Sequence, residues 1–77
     1  MKAYVLINVT TGQSPQVVRD LRKIREITAA DFTFGPYDVV AVVEAGDLGA
    51  VGRVVTEEIQ TTPGVLKTLT CLQIPIG

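Results

Sequence analysis

The sequence predicts a small α+β domain with the element order strand, helix, strand, strand, helix, strand. Two observations support this prediction: apolar residues alternate or run together in four short stretches, and they recur at helical spacing in two others. The chain has 77 residues, of which 47% are hydrophobic. This length is enough for one domain, which we place at residues 1–77, and it excludes a second fold or a large substrate cleft.

The first strand and the first helix are predicted within residues 2–27. Residues 2–9 are rich in β-forming apolar side chains on both faces, which indicates a strand that is covered on both sides. Ser14-Pro15 then has the form of an N-cap followed by the proline of a first helical turn. The amphipathic helix that follows is indicated by apolar residues at helical spacing, namely Val17, Val18, Leu21, Ile24 and Ile27.

The middle of the chain predicts two strands joined by a short turn. Residues 28–34 form the predicted second strand, with Ala30, Phe32 and Phe34 on one face. Gly35-Pro36 turns the chain into a third strand over residues 37–45, whose valine run shows no alternation of polarity. We expect this strand to be apolar on both faces, and we expect the aromatic side chains to pack in a core.

The last third of the chain predicts a helix, a turn and a strand. Asp47 can cap a second helix that ends near Gln60. The apolar stripe of this helix is predicted at Leu48, Val51, Val55 and Ile59. Residues 62–65 fit a type II turn, because proline presets φ and glycine accepts a positive φ. The last strand is predicted over residues 66–74.

Short connections and right-handed crossovers arrange these elements as a ferredoxin-like βαββαβ plait, with four antiparallel strands in the order 4-1-3-2. Both helices then cover the same face of the sheet. The strands supply apolar side chains to the other face as well, Tyr4 and Leu6 among them. Leaving that face in water would expose more apolar surface than a monomer usually shows. The sequence therefore predicts a homodimer joined face to face through its sheets.

Composition argues against several functional classes. Lys+Arg 7 against Asp+Glu 8 gives a formal charge of -1, so no overall field attracts nucleic acid or an anionic membrane. The absence of histidine and the single Cys71 remove His-based catalysis, His/Cys metal sites and internal disulfides. We expect no catalytic residue, metal, cofactor, direct nucleic-acid contact or membrane contact, and a cytoplasmic location.

Several charged or reactive residues are best explained as ordinary surface or core positions. Four of the seven positive charges lie on the predicted first helix, but the interspersed Asp20 and Glu26 favour a solvated helix face over a phosphate site. Glu57 and Glu58 are neighbours on a helix and therefore point in different directions. Cys71 is best explained as a small apolar residue of a strand.

Polar residues on the strands are the stronger binding candidates. Asp38 lies in an apolar neighbourhood, where its carboxylate could receive either a ligand ammonium group or a backbone N–H, and the residues leave both alternatives open. Thr68 and Thr70 alternate on the last strand and could bind a carboxylate, although threonine is also an ordinary β former. Asp31 and Lys67 lie on the predicted edge strands, where charge discourages edge-to-edge pairing.

Three segments, residues 3–9, 35–40 and 62–70, resemble the C-terminal effector domain of the Lrp/AsnC transcription regulators, also called the RAM domain. The resemblance implies a ferredoxin-like domain that dimerises through its sheet, assembles into octamers or related rings, and binds amino acids between dimers. Family regulators usually carry a helix-turn-helix domain before this module. Here Met1 begins directly at the first strand, so we expect a stand-alone member that does not bind DNA in the family's usual way.

The resemblance also implies a site. The segment Gly35-x-Tyr37-Asp38 is similar to the family's effector-pocket motif, and Thr68 and Thr70 match the threonines of its last strand. Asp38 would then take the ammonium group of an amino acid, while the Gly35 N–H and the threonine hydroxyls take its carboxylate.

The function implied is amino-acid sensing by an oligomerisation module that modulates a partner, either a full-length Lrp/AsnC regulator or a metabolic enzyme. Two alternatives from other classes stay open. One is a pure oligomerisation module without a ligand, and the other, less favoured, is an enzyme of the dimeric α/β-barrel type.

Overall fold

The structure, a computed structural model, describes residues 1–76. In chain order its elements are β1 (Lys2–Val9), α1 (Ser14–Leu21), β2 (Ile27–Phe32), β3 (Val39–Glu44), α2 (Leu48–Arg53), a π-helical segment (Val54–Ile59) and β4 (Val65–Leu72). The strands pair antiparallel in the order β2-β3-β1-β4. This order is the predicted 4-1-3-2, so the prediction of a ferredoxin-like plait is confirmed.

Both helical regions pack on one face of the sheet and form a single apolar core with it. Alternate residues of β1 point into this core, and Ala3, Val5 and Ile7 have 0% exposure. The helices contribute the side chains of Val17, Val18, Leu21, Val51, Val54, Val55 and Ile59. The other face of the sheet is left uncovered by residues 1–76.

α1 is shorter than the periodicity predicts, because the chain leaves the α-helix after Leu21. Hydrogen bonds between residues three apart follow, from Ile24 N–H to the Leu21 carbonyl at 3.0 Å and from Ile27 N–H to the Ile24 carbonyl at 3.1 Å. Tight turns of this kind keep residues three apart on one side. Ile24 and Ile27 therefore still point toward the core, although they lie beyond the end of the α-helix. The predicted Ser14 cap is wrong, since Gln13 precedes α1 and makes no side-chain cap hydrogen bond.

The strand bounds also differ from the prediction. β2 covers Ile27–Phe32 rather than residues 28–34, β3 covers Val39–Glu44 rather than 37–45, and β4 covers Val65–Leu72 rather than 66–74. Phe34 consequently lies beyond β2 and is fully exposed, and the side chain of Phe32 is exposed as well. The expectation that these two aromatics pack in the core is wrong.

The second helical region is continuous, as predicted, but its second half is π-helical. Asp47 caps its start, because its Oδ1 accepts a hydrogen bond from the Ala50 N–H at 2.8 Å. At the other end the Gln60 N–H donates to the carbonyl of Val55, five residues earlier, at 2.9 Å. Of the predicted apolar stripe, Leu48 alone lies outside the core, 57% exposed.

A type II turn connects this region to β4, as predicted. The Val65 N–H donates to the Thr62 carbonyl at 3.1 Å. Gly64, at the third position of the turn, has a φ of 97°, which only glycine adopts without strain. The turn fixes where β4 enters the sheet and therefore the register of Thr68 and Thr70.

Candidate functional site

The loop before β3 carries three of the predicted site residues, Gly35, Tyr37 and Asp38. Gly35 has a φ of 135°, and a Cβ placed on it would meet nothing within 4 Å. The loop is closed by the Thr33 hydroxyl, which donates to the Tyr37 carbonyl at 2.7 Å. The Asn8 side chain holds the loop to β1 by donating to the Pro36 carbonyl at 2.9 Å.

Asp38 is anchored to β1 through its backbone and its side chain. Its N–H donates to the Ile7 carbonyl at 2.9 Å, and its Oδ2 accepts a hydrogen bond from the Val9 N–H at 2.8 Å. The sequence left open whether Asp38 binds a ligand ammonium group or a backbone N–H. In the structure one carboxylate oxygen binds a backbone N–H. Within residues 1–76 the other oxygen, Oδ1, has no hydrogen bond, so it can still accept a donor from a ligand.

Thr68 and Thr70 lie on β4, on the face of the sheet that carries the helices. Their cross-strand partners on β1 are Ile7 and Val5, which are core residues. The Thr68 hydroxyl accepts a hydrogen bond from Gln60 Nε2 at 3.0 Å. Because this bond uses a lone pair, the hydroxyl hydrogen of Thr68 is available to donate.

The two halves of the predicted site are separated within one chain. Thr68 is opposite Ile7, and Ile7 is opposite Val39, the residue after Asp38. Two strand spacings amount to about 10 Å, and β1 lies between them. No hydrogen bond of the described chain joins Asp38 to either threonine.

A shallow depression of about 330 Å³ lies beside the start of β4. It is lined by Gln60, Val65, Leu66, Lys67 and Thr68. Thr68 is thus the one predicted site residue among its lining residues. Gln60 was not predicted as a site residue. The sequence places it only at the end of the second helix, and its contact with Thr68 depends on how that helix packs beside β4.

The uncovered face of the sheet, here called the open face, is apolar in its middle and charged at its rim. Its middle consists of Tyr4, Leu6, Val40, Val42, Leu69 and Cys71. Tyr4 is 36% exposed and Leu69 is 48% exposed. Lys2 and Glu44 form a cross-strand pair at one end of this face, and the Lys2 Nζ lies 5.6 Å from the centroid of the Tyr4 ring.

The positive charges near α1 are used locally rather than gathered into a patch. Arg22 lies 3.6 Å from Asp31, and its Nε donates to the Ala30 carbonyl at 3.0 Å. Lys23 lies 4.0 Å from an oxygen of Asp20, and the guanidinium of Arg25 lies 3.6 Å from Glu26. These exposed pairs contribute little stability, but they neutralise the surface that a phosphate would need.

Residues 1–76 contain neither a metal-binding cluster nor a membrane-spanning helix. No group of three or more His, Cys, Asp and Glu side chains there could hold a metal ion. Neither helical region has the length and hydropathy that crossing a bilayer would require.

Solved structures with the same fold include two that are more than a quarter identical to this chain. The Thermus thermophilus protein TTHA0845 is 28% identical with a TM-score of 0.93, and the match covers 99% of this chain and 95% of that chain. AsnC of E. coli is 26% identical with a TM-score of 0.87, covering 99% of this chain and 53% of that one. A search among curated proteins finds no match.

A more distant neighbour is the transcriptional regulator NMB0573 from Neisseria meningitidis, solved as a complex with L-Met. It is 14% identical with a TM-score of 0.86, covering 96% of this chain and 49% of that chain. At that identity the likeness shows the shared fold alone.

The fold and these neighbours define the class as ferredoxin-like α+β domains. The family model of the Lrp/AsnC ligand binding domain matches residues 2–74. This chain therefore belongs to the Lrp/AsnC ligand binding domain family, as the resemblance of its three segments predicted.

Proposed function

We propose that this chain is an amino-acid-sensing oligomerisation module. Copies assemble through the open face, a small amino acid binds where subunits meet, and its binding changes how the assembly engages a partner protein. The observation that carries the proposal is Asp38, whose carboxylate is held by the Val9 N–H and keeps one oxygen for a ligand. We propose one domain over residues 1–77 and a cytoplasmic location, both from the sequence.

Asp38 is suited to bind an ammonium group because it is already oriented. The bond from the Val9 N–H, at 2.8 Å, fixes the carboxylate before any ligand arrives, and a group that is ordered in advance loses less entropy on binding. Open space beside Gly35 allows a ligand to approach the backbone of the same loop. The Gly35 N–H can donate to a ligand carboxylate.

The separation of Asp38 from Thr68 and Thr70 favours a site between subunits. The ammonium and carboxylate groups of an α-amino acid are bonded to the same carbon atom. They cannot reach the loop of Asp38 and the hydroxyls of β4 across about 10 Å of one sheet. If both sets of residues serve one ligand, they must come from different chains.

Fold-level precedent supports an amino acid as the ligand. NMB0573, which shares this fold, was solved with L-Met. For this chain we propose that the ligand is an amino acid, and we do not assign which one. The residues that contact the side chain of the ligand would belong to other subunits of the assembly.

The open face supports assembly as the second part of the proposal. Its apolar middle is partly exposed in one chain, and burying such surface between copies is favourable by about 25 cal/mol per Å². We propose a face-to-face dimer and a further octamer or related ring, with a full-length Lrp/AsnC regulator or a metabolic enzyme as the partner. We propose no catalytic role, because the sequence has no histidine and no convincing acid–base pair.

The mass of the native assembly, measured with and without each of the twenty amino acids, tests sensing and assembly together. We expect at least one amino acid to change the distribution of masses and to give a calorimetric binding signal. Asp38→Ala should weaken that signal. Absence of binding by every amino acid at millimolar concentration would refute sensing, and a stable monomer at micromolar concentration would refute assembly.

A second candidate, a pure oligomerisation module, is favoured by the bond between Val9 and Asp38. That bond gives the carboxylate a structural role without any ligand. The module would mix with related chains and form the same assembly at every amino-acid concentration, and this is the result that separates the two candidates.

A further inference from the structure

The sheet has two outer edges, along β2 and along β4, beside which no strand lies within residues 1–76. Just beyond the end of β2, the Thr33 N–H donates toward β3, to the Asp38 carbonyl at 3.0 Å. In an antiparallel pair, residues that bond to the neighbouring strand alternate with residues that do not. The backbone groups of Ala30 and Phe32 therefore point away from β3, toward the outer edge.

The outer edge of β2 has the composition of a strand that recruits other strands. Residues 29–34 contain a single charge and no proline. Phe32 is 56% exposed and Phe34 is fully exposed. An apolar edge with free backbone groups pairs with strands of other chains unless charge, a bulge or a covering element blocks it. The register shift between Ile27 and Ala29 blunts only the start of β2, so the rest of this edge needs another block.

Arg22 covers the part of the edge that follows the register shift. Its Nε donates to the outward carbonyl of Ala30 at 3.0 Å, and its Nη2 lies 3.6 Å from an oxygen of Asp31. Asp31 pairs with Val40, a residue of the open face, whereas Arg22 directly follows α1, which packs on the other face. The side chain of Arg22 therefore crosses the edge from one face of the sheet to the other.

The early end of α1 brings Arg22 to this position. The helix ends at Leu21, and the Ile24 N–H bonds back to the Leu21 carbonyl at 3.0 Å. Residues 22–26 then return the chain to the start of β2. An α-helix that continued to Ile27, as the apolar spacing predicts, would leave no residues for this return. The contact of Arg22 with the edge therefore depends on the tight turns after Leu21.

We propose that Arg22 closes the outer edge of β2 and so prevents the same segment of a second copy from adding to the sheet there. An incoming strand needs the Ala30 carbonyl as an acceptor, and it would have to displace a charge-assisted hydrogen bond to reach it. It would also bury the ion pair of Arg22 and Asp31, and the desolvation of such a pair is costly. This role does not depend on amino-acid binding.

Two substitutions of Arg22 separate its hydrogen bond from its charge. Arg22→Met keeps an unbranched side chain and loses every donor. In Arg22→Gln the amide nitrogen is as many bonds from the backbone as the arginine Nε, so it can still donate to the Ala30 carbonyl without a charge. We expect Arg22→Met to aggregate about tenfold faster than the wild type, the factor that loss of a charge-assisted hydrogen bond corresponds to. Arg22→Gln should fall between the two. Light scattering and thioflavin T fluorescence under native conditions measure the rates.

Two controls exclude effects of charge and of partial unfolding. Arg25→Met loses the same charge, from an exposed guanidinium that pairs with the side chain of Glu26. Gly12→Ala places its Cβ in open space at a φ of 83° and loses stability through its backbone alone. Both controls should aggregate at about the wild-type rate. A rate for Arg22→Met no greater than that of either control, or no greater than that of Arg22→Gln, overturns the proposal.

A second block should restore a closed edge. Phe32→Pro removes an outward N–H that β3 does not use, a change tolerated at a sheet edge. Added to Arg22→Met, it should return aggregation to the wild-type rate, whereas Phe32→Ala in the same background keeps the N–H and should leave the rate high. Equal rates for these two double variants, high or low, would show that the backbone edge is not the point of contact, and the proposal would fail. If the proline variant does not fold, the comparison of Arg22→Met with Arg22→Gln decides. If Arg22→Met does not fold, Arg22→Ala takes its place.

Discussion

Asp38 combines a structural bond with a proposed ligand contact, and two substitutions separate them. Asp38→Asn keeps an oxygen that can accept from the Val9 N–H but loses the charge, whereas Asp38→Ala loses both. We expect Asp38→Ala to cost about 1–2 kcal/mol of unfolding free energy and Asp38→Asn to cost less. Both should weaken amino-acid binding about tenfold or more. Urea denaturation and calorimetry measure the two effects, and tight binding by Asp38→Asn would contradict a charge-based role.

Position 64 requires glycine for two reasons, its backbone conformation and the lack of space for a Cβ atom. Its φ is 97°, and a Cβ there would lie 2.9 Å from Cγ2 of Val17, which is fully buried. We expect Gly64→Ala to destabilise the fold by about 2–3 kcal/mol, from strain and overpacking together. Gly12→Ala is the matched control. Its φ is 83° and a Cβ meets nothing within 4 Å, so it should cost about 1 kcal/mol; equal losses in urea denaturation would contradict this account.

At the scale of elements, apolar spacing predicted which side chains are buried better than it predicted the type of helix. Leu21, Ile24 and Ile27 follow one another at intervals of three. That spacing fits an α-helix and also fits the tight turns that the chain forms after Leu21. The inward direction of these residues was therefore predictable from the sequence, but the end of α1 was not.

The candidate site was predictable only as far as it follows strand alternation. Alternation places Thr68 and Thr70 on one face of β4, and the structure shows them on the same face. The bond from Gln60 to Thr68 joins the end of a helix to a strand eight residues later, and no local pattern encodes that contact. The Val9 partner of Asp38 depends in the same way on pairing between distant strands.

The two helix starts differ in a way that stability measurements can detect. Asp47 accepts from the Ala50 N–H at 2.8 Å, whereas Ser14 lies inside α1, which has no side-chain cap. We expect Asp47→Ala to lower the free energy of unfolding by about 1 kcal/mol. Ser14→Ala should change it by less than about 0.5 kcal/mol. Thermal or urea denaturation compares the pair, and a larger loss from Ser14→Ala than from Asp47→Ala would contradict the difference described between the two helix starts.

At the scale of the whole molecule, one chain buries one face of its sheet and leaves two apolar surfaces. The accessible surface of the chain is 4811 Å², against about 4,500 Å² expected for a folded chain of this mass. The open face and the outer edge of β4 both contribute to that exposure. The two surfaces meet along β4 but present different groups. The open face presents side chains, whereas the edge presents backbone N–H and C=O groups.

Val42 tests the first of these surfaces, because it lies between Tyr4 and Ala29 on the open face. Val42→Glu would place an unpaired carboxylate inside a face-to-face dimer, where desolvation costs several kcal/mol. We expect the native mass by sedimentation to fall, and the Cys71 thiol, exposed in one chain, to react faster with thiol reagents than in the wild type. Leu48→Glu is the control, since Leu48 is exposed on a helix and should leave the mass unchanged. A Val42→Glu chain with the wild-type mass would show that the open face is not where copies of this chain meet.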